Sequence, residues 1–106
     1  LNGGAGRTSW TLTSPAGGVI YDGDNKQVRT VKANERLQVT ASLFSGRKAP
    51  LTFKPNNNSY TEIPFSGSDV QRFDGTIRMT LDGTAVKLTN HVPLRVSHTL
   101  LGMRKR

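Results

Sequence analysis

Hydrophobic and polar positions alternate with a period of two along most of the chain, the pattern of strands buried on one face. In "SWTLTS", Trp10 and Leu12 face one way and Ser9, Thr11 and Thr13 the other. "SPAGG" interrupts the run, "VIY" follows, and "DGDN" from Asp22 to Asn25 is a strong turn signal. Val28 and Val31 lie three apart in "KQVRTVKA", which predicts a bulge or a short strand. "ANE" turns the chain again. "RLQVTASLF" reads as one long strand with Leu37, Val39, Ala41 and Leu43 inward. "LTF" is short and closes at Pro55, and "NNNS" is a loop. "YTEIPF" offers Tyr60, Ile63 and Phe65 to the core. Pro64 brings no N–H to a ladder, so this segment is expected at an edge or a strand end.

The stretch from Phe73 to Leu94, "FDGTIRMTLDGTAVKLTNHVPL", reads as a tight hairpin. Ile77, Met79 and Leu81 face inward; Thr76, Arg78 and Thr80 face outward. Asp82-Gly83 between two alternating runs predicts a two-residue type I′ turn, which needs positive φ at both central residues. On the return strand Val86 and Leu88 point inward, with Ala85, Lys87 and Thr89 outward. Met79 then falls opposite Val86 or close to it. The last segment, "PLRVSHTLLGMRKR", fits a strand through Leu94, Val96, His98 and Leu100, or a helix face through Leu94, Ser97, His98 and Leu101. β-branched Val96 and Thr99 favour the strand.

Turn signals every ~8–12 residues and no long helical period predict one all-β domain. The expected architecture is an antiparallel sandwich or barrel of about seven or eight short strands. The 106 residues suffice for one domain and its core. We place that domain at residues 9–101, with a flexible Gly-rich arm at 1–8 and a basic tail at 102–106. The chain begins at Leu1 rather than Met, which suggests a removed segment or an excerpt of something longer.

Charge changes the picture. Lys and Arg number 15 against 7 Asp and Glu, a formal charge of +8. Such an excess favours nucleic acid, acidic cell-wall polymers or a lipid surface as partners. No apolar run approaches the ~20 residues that span a bilayer. Arg104, Lys105 and Arg106 end the chain, with Arg95 nearby, and Arg47-Lys48 lies on a loop. Arg29 and Lys32 flank a turn, and Arg72, Arg78 and Lys87 lie around the hairpin. Arg78 and Lys87 should be near neighbours across its two strands, where like charges cost stability unless an anion lies between them. The candidate anion-binding set is therefore Arg78, Lys87, Arg95, Arg104, Lys105 and Arg106. The aromatics (Trp10, Tyr21, Phe44, Phe53, Tyr60, Phe65, Phe73) are scattered singly and mostly look like core. That leaves little for base stacking, while contact with a polymer backbone remains open.

Reactive constellations are sparse. There is no cysteine, which excludes disulfides and thiolate chemistry. Asp22, Asp24, Asp74 and Asp82 sit in turn contexts, where the side chain usually bonds nearby backbone N–H groups. "DGDNKQ" starts like a calcium loop but has Lys26 and Gln27 at the fifth and sixth places. His91 and His98 are the only histidines, and no "GxSxG" elbow exists. Asn57-Asn58-Ser59 matches a glycosylation sequon, relevant only on a eukaryotic secretory route. We expect neither catalysis, a cofactor nor a metal.

"YTEIPFSGSDVQRFDGTIRMTLDGTAVKLTNHVPL" resembles the β-rich part of the sporulation stage II D / amidase-enhancer (LytB-like) family. "RFDGTIRM" from Arg72 to Met79 stands for that family's "RYRGxLxL" rim, and Asn90, Val92 and Leu94 match its "N-x-V-x-L". "LTSPAGGVIYDGD" has a similar flavour. In that family an acidic residue follows the Leu, and the next helix works toward glycan-strand cleavage. Here Arg95 stands at that position and no carboxylate follows Asp82. The resemblance thus implies a non-catalytic β module of the bacterial cell envelope that touches peptidoglycan. The alternative is a small virion (capsid or coat) or nucleoprotein subunit, a homo-oligomer or assembly whose basic patches neutralise phosphates.

Overall fold

A computed structural model describes residues 6–92. All extended structure is antiparallel, and the described residues hold nine strands rather than seven or eight. These are β1 (Ser9–Leu12), β2 (Gly18–Tyr21), β3 (Gln27–Val31), β4 (Leu37–Thr40), β5 (Leu51–Pro55), β6 (Thr61–Ser66), β7 (Asp69–Phe73), β8 (Thr76–Asp82) and β9 (Ala85–His91). The fold is all-β. One sheet has five strands in the order β3-β2-β5-β8-β9. The second layer consists of two ribbons, β4-β1 and β6-β7. A single bridge joins them, in which Thr13 and Glu62 exchange both backbone hydrogen bonds at 3.1 and 2.7 Å.

One core lies between the layers. β1, β4 and β6 contribute Trp10, Leu12, Leu37, Val39 and Ile63. The large sheet contributes Ile20, Val31, Leu51, Phe53, Ile77, Met79, Val86 and Leu88. The alternation read from the sequence is the cause: each inward side chain leaves water, worth roughly 1.5–3 kcal/mol for a large aliphatic residue. Trp10 is the largest member. Its indole N–H donates to the Val86 carbonyl at 2.8 Å, tying β1 to β9 across the layers. Gly18 is needed for packing, because an added Cβ would meet the Phe53 ring at 2.7 Å.

Several local expectations shift. Val28 is unopposed, because Ile20 pairs with Arg29 and Tyr21 with Gln27, so the predicted bulge is present. The long strand after Arg36 stops at Thr40. Ala41–Phe44 winds into a 3-10 turn, where Thr40 and Ser42 hydroxyls bond each other at 2.8 Å and Ser45 donates to the Ser42 carbonyl. Serine and threonine hydroxyls offer this local alternative to a ladder. Phe44 rather than Leu43 fills the core there. In β6, Thr61 and Ile63 are fully buried and Tyr60 is not, so the inward phase is one residue away from the expected Tyr60. Pro64 costs no ladder bond. Glu62 directs its N–H and C=O to Thr13, so Pro64, two residues on, also turns its nitrogen away from β7.

The hairpin of β8 and β9 forms with a displaced turn. Asp82 pairs with Ala85, so Gly83 and Thr84 are the central residues. Only Gly83 has positive φ, at 67°, which suits a II′ rather than a I′ turn. Met79 accordingly lies opposite Leu88, and Val86 opposite Leu81. Residue 7, assigned to the flexible arm, is docked: the Arg7 carbonyl accepts the Val86 N–H at 2.8 Å. The ambiguous segment after Val92 and the basic tail lie outside the described residues.

Candidate anion-binding face

The outer face of the five-stranded sheet is built by the same alternation that fills the core. Val19, Tyr21, Thr52, Lys54, Thr76, Arg78, Thr80, Lys87 and Thr89 share it. The strands of this sheet carry no carboxylate short of Asp82, the last residue of β8. Threonine suits such a face because β-branched side chains pack well on a pleated surface.

Register decides how the cations are spaced. Arg78 lies opposite Thr89 on β9 and Thr52 on β5, and Lys87 lies opposite Thr80. Arg78 and Lys87 are therefore diagonal neighbours and not directly opposed, which corrects the close like-charge contact expected from the sequence. Lys54 follows Phe53, whose partner is Ile77, so it falls beside Thr76. Lys54, Arg78 and Lys87 thus form a diagonal across three adjacent strands. Strand separation and rise put successive Cα atoms about 8 Å apart. Threonine hydroxyls at 52, 76, 80 and 89 flank this line.

The cations differ in what they touch. Lys87 Nζ lies 3.3 Å from Asp82 Oδ2, with both side chains well exposed. Such pairs contribute about 0–1 kcal/mol, so Lys87 exchanges partners at little cost. Arg78 and Lys54 have no ion pair among the described residues. Asp22, Asp24, Glu35 and Glu62 are engaged elsewhere. Glu35 pairs with Arg29 at 2.5 Å, Asp24 with Lys48 at 3.2 Å and Glu62 with Arg72 at 3.1 Å. Asp22 Oδ1 accepts the N–H groups of Asp24 and Lys26, both at 2.9 Å, so this carboxylate closes its own turn. Among the described residues no three His, Asp or Glu side chains gather as a metal site would require.

A shallow groove of about 350 Å³ opens at the Lys54 end of the diagonal, lined by Val19, Tyr21, Lys54, Pro55 and Asn56 to Asn58. Asn56 is structural: its side chain donates to the Ala16 carbonyl at 3.1 Å and its N–H to that of Gly17 at 2.9 Å. Asn57 and Asn58 adopt positive φ of 57° and 55°, a region asparagine tolerates better than most residues. Their exposed amides border the groove. Tyr21 supplies a half-buried aromatic wall there. Tyr60 is also half-exposed, beneath the Arg72 guanidinium at 4.7 Å.

Of the six candidate residues read from the sequence, Arg78 and Lys87 share this face. Arg95, Arg104, Lys105 and Arg106 lie outside the described residues, as does His98. His91 is exposed at the end of β9. The sequence reading missed Lys54. The alternation in "LTFKP" marks it as outward, but nothing local says that β5 runs beside β8. No protein-family model, curated protein or solved structure matches the chain.

Proposed function

We propose that this chain is a non-catalytic binding module that holds an acidic polymer along the outer face of its five-stranded sheet. One observation carries the reading: Lys54, Arg78 and Lys87 form an evenly stepped diagonal on strands without a carboxylate short of Asp82. A linear polyanion can meet all three cations at once, whereas a compact anion meets one. The groove at the Lys54 end adds an aromatic ring and two amides, groups that suit a sugar ring with its C–H faces and hydroxyls. Together with the resemblance of residues 72–94 to the β-rich part of the amidase-enhancer family, this favours acidic cell-wall glycan as the polymer.

The test is binding of purified cell-wall polymer across a salt series, for the full chain and for the triple variant Lys54→Gln, Arg78→Gln, Lys87→Gln. The wild type should bind and weaken with salt, and the variant should lose most of its affinity. Equal affinities would overturn the reading. Preference for single-stranded RNA over the wall polymer, with a log–log salt slope near −2 for three phosphate contacts, would favour the virion or nucleoprotein alternative.

A further inference from the structure

β7 is hydrogen-bonded on one side only. It pairs with β6 and has no neighbour along its other edge among the described residues. Its four residues Asp69 to Arg72 are exposed, and Val70, at 50%, is one of two large hydrophobic side chains on the described surface. The direction of its free backbone groups follows from the opposite side of the ribbon. Glu62 gives both its N–H and its C=O to Thr13 on the β1 side. The pair Glu62–Arg72 therefore exchanges no ladder bonds, and neither does Pro64–Val70, in step with the missing proline N–H. Val70 and Arg72 consequently turn their N–H and C=O groups to the open edge.

Natural edge strands discourage pairing with lysine, proline or a bulge. β7 carries no lysine and no proline, and its register with β6 is regular from Val70 to Phe73. We propose that this edge pairs with the β7 edge of a second copy of the chain, antiparallel and two-fold symmetric about Gln71. That register sets Val70 against Arg72 of the other copy twice, and each such pair exchanges two backbone hydrogen bonds. It is also matched in side chains. Val70 meets the aliphatic stem of an arginine whose guanidinium is engaged by Glu62 and Tyr60, and no like charges oppose each other. A shift of two residues would lose one or both hydrogen-bonded pairs.

The contact is short, so the dimer is weak and forms at high protein concentration or on a shared polymer. Two copies joined this way would carry two cationic faces, and a polymer spanning both would be held with avidity.

Charge changes at Val70 test the proposal, because this side chain is half-exposed and tolerates substitution. Sedimentation velocity on the full chain over a concentration series should show reversible dimers for the wild type. Val70→Lys, opposite the other copy's arginine, should leave only monomer. Val70→Glu should tighten the dimer about tenfold through its two symmetric pairs. The Val70 and Arg72 amides should gain protection from hydrogen exchange as the wild-type concentration rises. A wild type that stays monomeric overturns the proposal. So would equal effects of lysine and glutamate, or Val70 and Arg72 amides that exchange at the same rate at every concentration.

Discussion

The two layers are held together in different ways. The five-stranded sheet is one continuous ladder, so its strands are held in place chiefly by backbone bonds, with outer side chains adding only the Thr76–His91 contact and the exposed Lys87–Asp82 pair. The opposite layer is two ribbons joined by the Thr13–Glu62 bridge, and side chains supply the rest. Arg7 lies 3.8 Å over the Trp10 ring and donates to the Phe65 carbonyl at 3.2 Å. Phe65 meets Trp10 edge-on at 5.5 Å and Phe73 at 6.1 Å. The sheet with a self-sufficient backbone can give its outer face to a partner. The layer that spends its side chains on cohesion has fewer to offer. Cation substitutions on the large sheet should therefore leave stability nearly unchanged, while changes in the stapled layer should not.

Trp10→Ala is the most severe test of this contrast. It opens a large cavity and leaves the Val86 carbonyl without its donor, so a loss of about 3–5 kcal/mol is expected in denaturant unfolding. A loss below ~1 kcal/mol would mean that the stapled layer collapses around the gap and the contrast is wrong.

Gly75 belongs to the corner between the layers, where β7 leads into β8. Its φ is 81°, and an added Cβ would overlap the His91 carbonyl oxygen. Gly75→Ala should cost about 2 kcal/mol or more from backbone strain and displacement of β9. A fold that accepts alanine there without loss would show that this corner relaxes freely.

Arg7→Leu removes one cation–π contact and two hydrogen bonds, to the Ser9 and Phe65 carbonyls, while keeping apolar bulk. A cost of about 1–2 kcal/mol is expected. Thr61→Val should move in the opposite direction. Thr61 is fully buried in the stapled layer and its hydroxyl has no partner among the described residues. An isosteric apolar side chain avoids that desolvation, and a gain of up to about 1 kcal/mol in the unfolding midpoint analysis would sharpen the comparison.

Strands whose alternation is bounded by turn residues were legible from the sequence: β1, β8 and β9 carry the inward residues their pattern implies. So was the Val28 bulge, because three-residue spacing cannot satisfy a two-residue period. The end of β4 was not, because "ASLF" continues the alternation while hydroxyl bonds at Thr40 and Ser42 pull the chain into a turn. The hairpin turn slipped by one residue for a related reason. Asp-Gly and Gly-Thr are both acceptable turn centres, and the long-range pairing chooses. The candidate site was half legible. Arg78 and Lys87 lie on one hairpin, whereas Lys54 joins them only through the β5–β8 pairing, which strand order alone supplies.

The connection between the layers gives the smallest and most specific test. The turn after β3 leads from the large sheet to β4 and is fastened by Glu35, whose carboxylate accepts the Lys32 N–H at 2.9 Å and the Arg29 guanidinium. The Lys32 backbone bond, ahead of the Arg29 charge, holds the Glu35 carboxyl below the ordinary glutamate value. A depressed folded-state pKa means that this contribution is fully present above the unfolded value and fades as pH falls through the folded one. Thermal midpoints over an acid series should therefore decline more steeply for the wild type than for Glu35→Gln below the usual glutamate range. An NMR titration should place the Glu35 carboxyl below the ordinary glutamate value. Identical acid profiles for the two proteins would mean that the turn holds without its carboxylate, and that the large sheet passes to the stapled layer through backbone conformation alone.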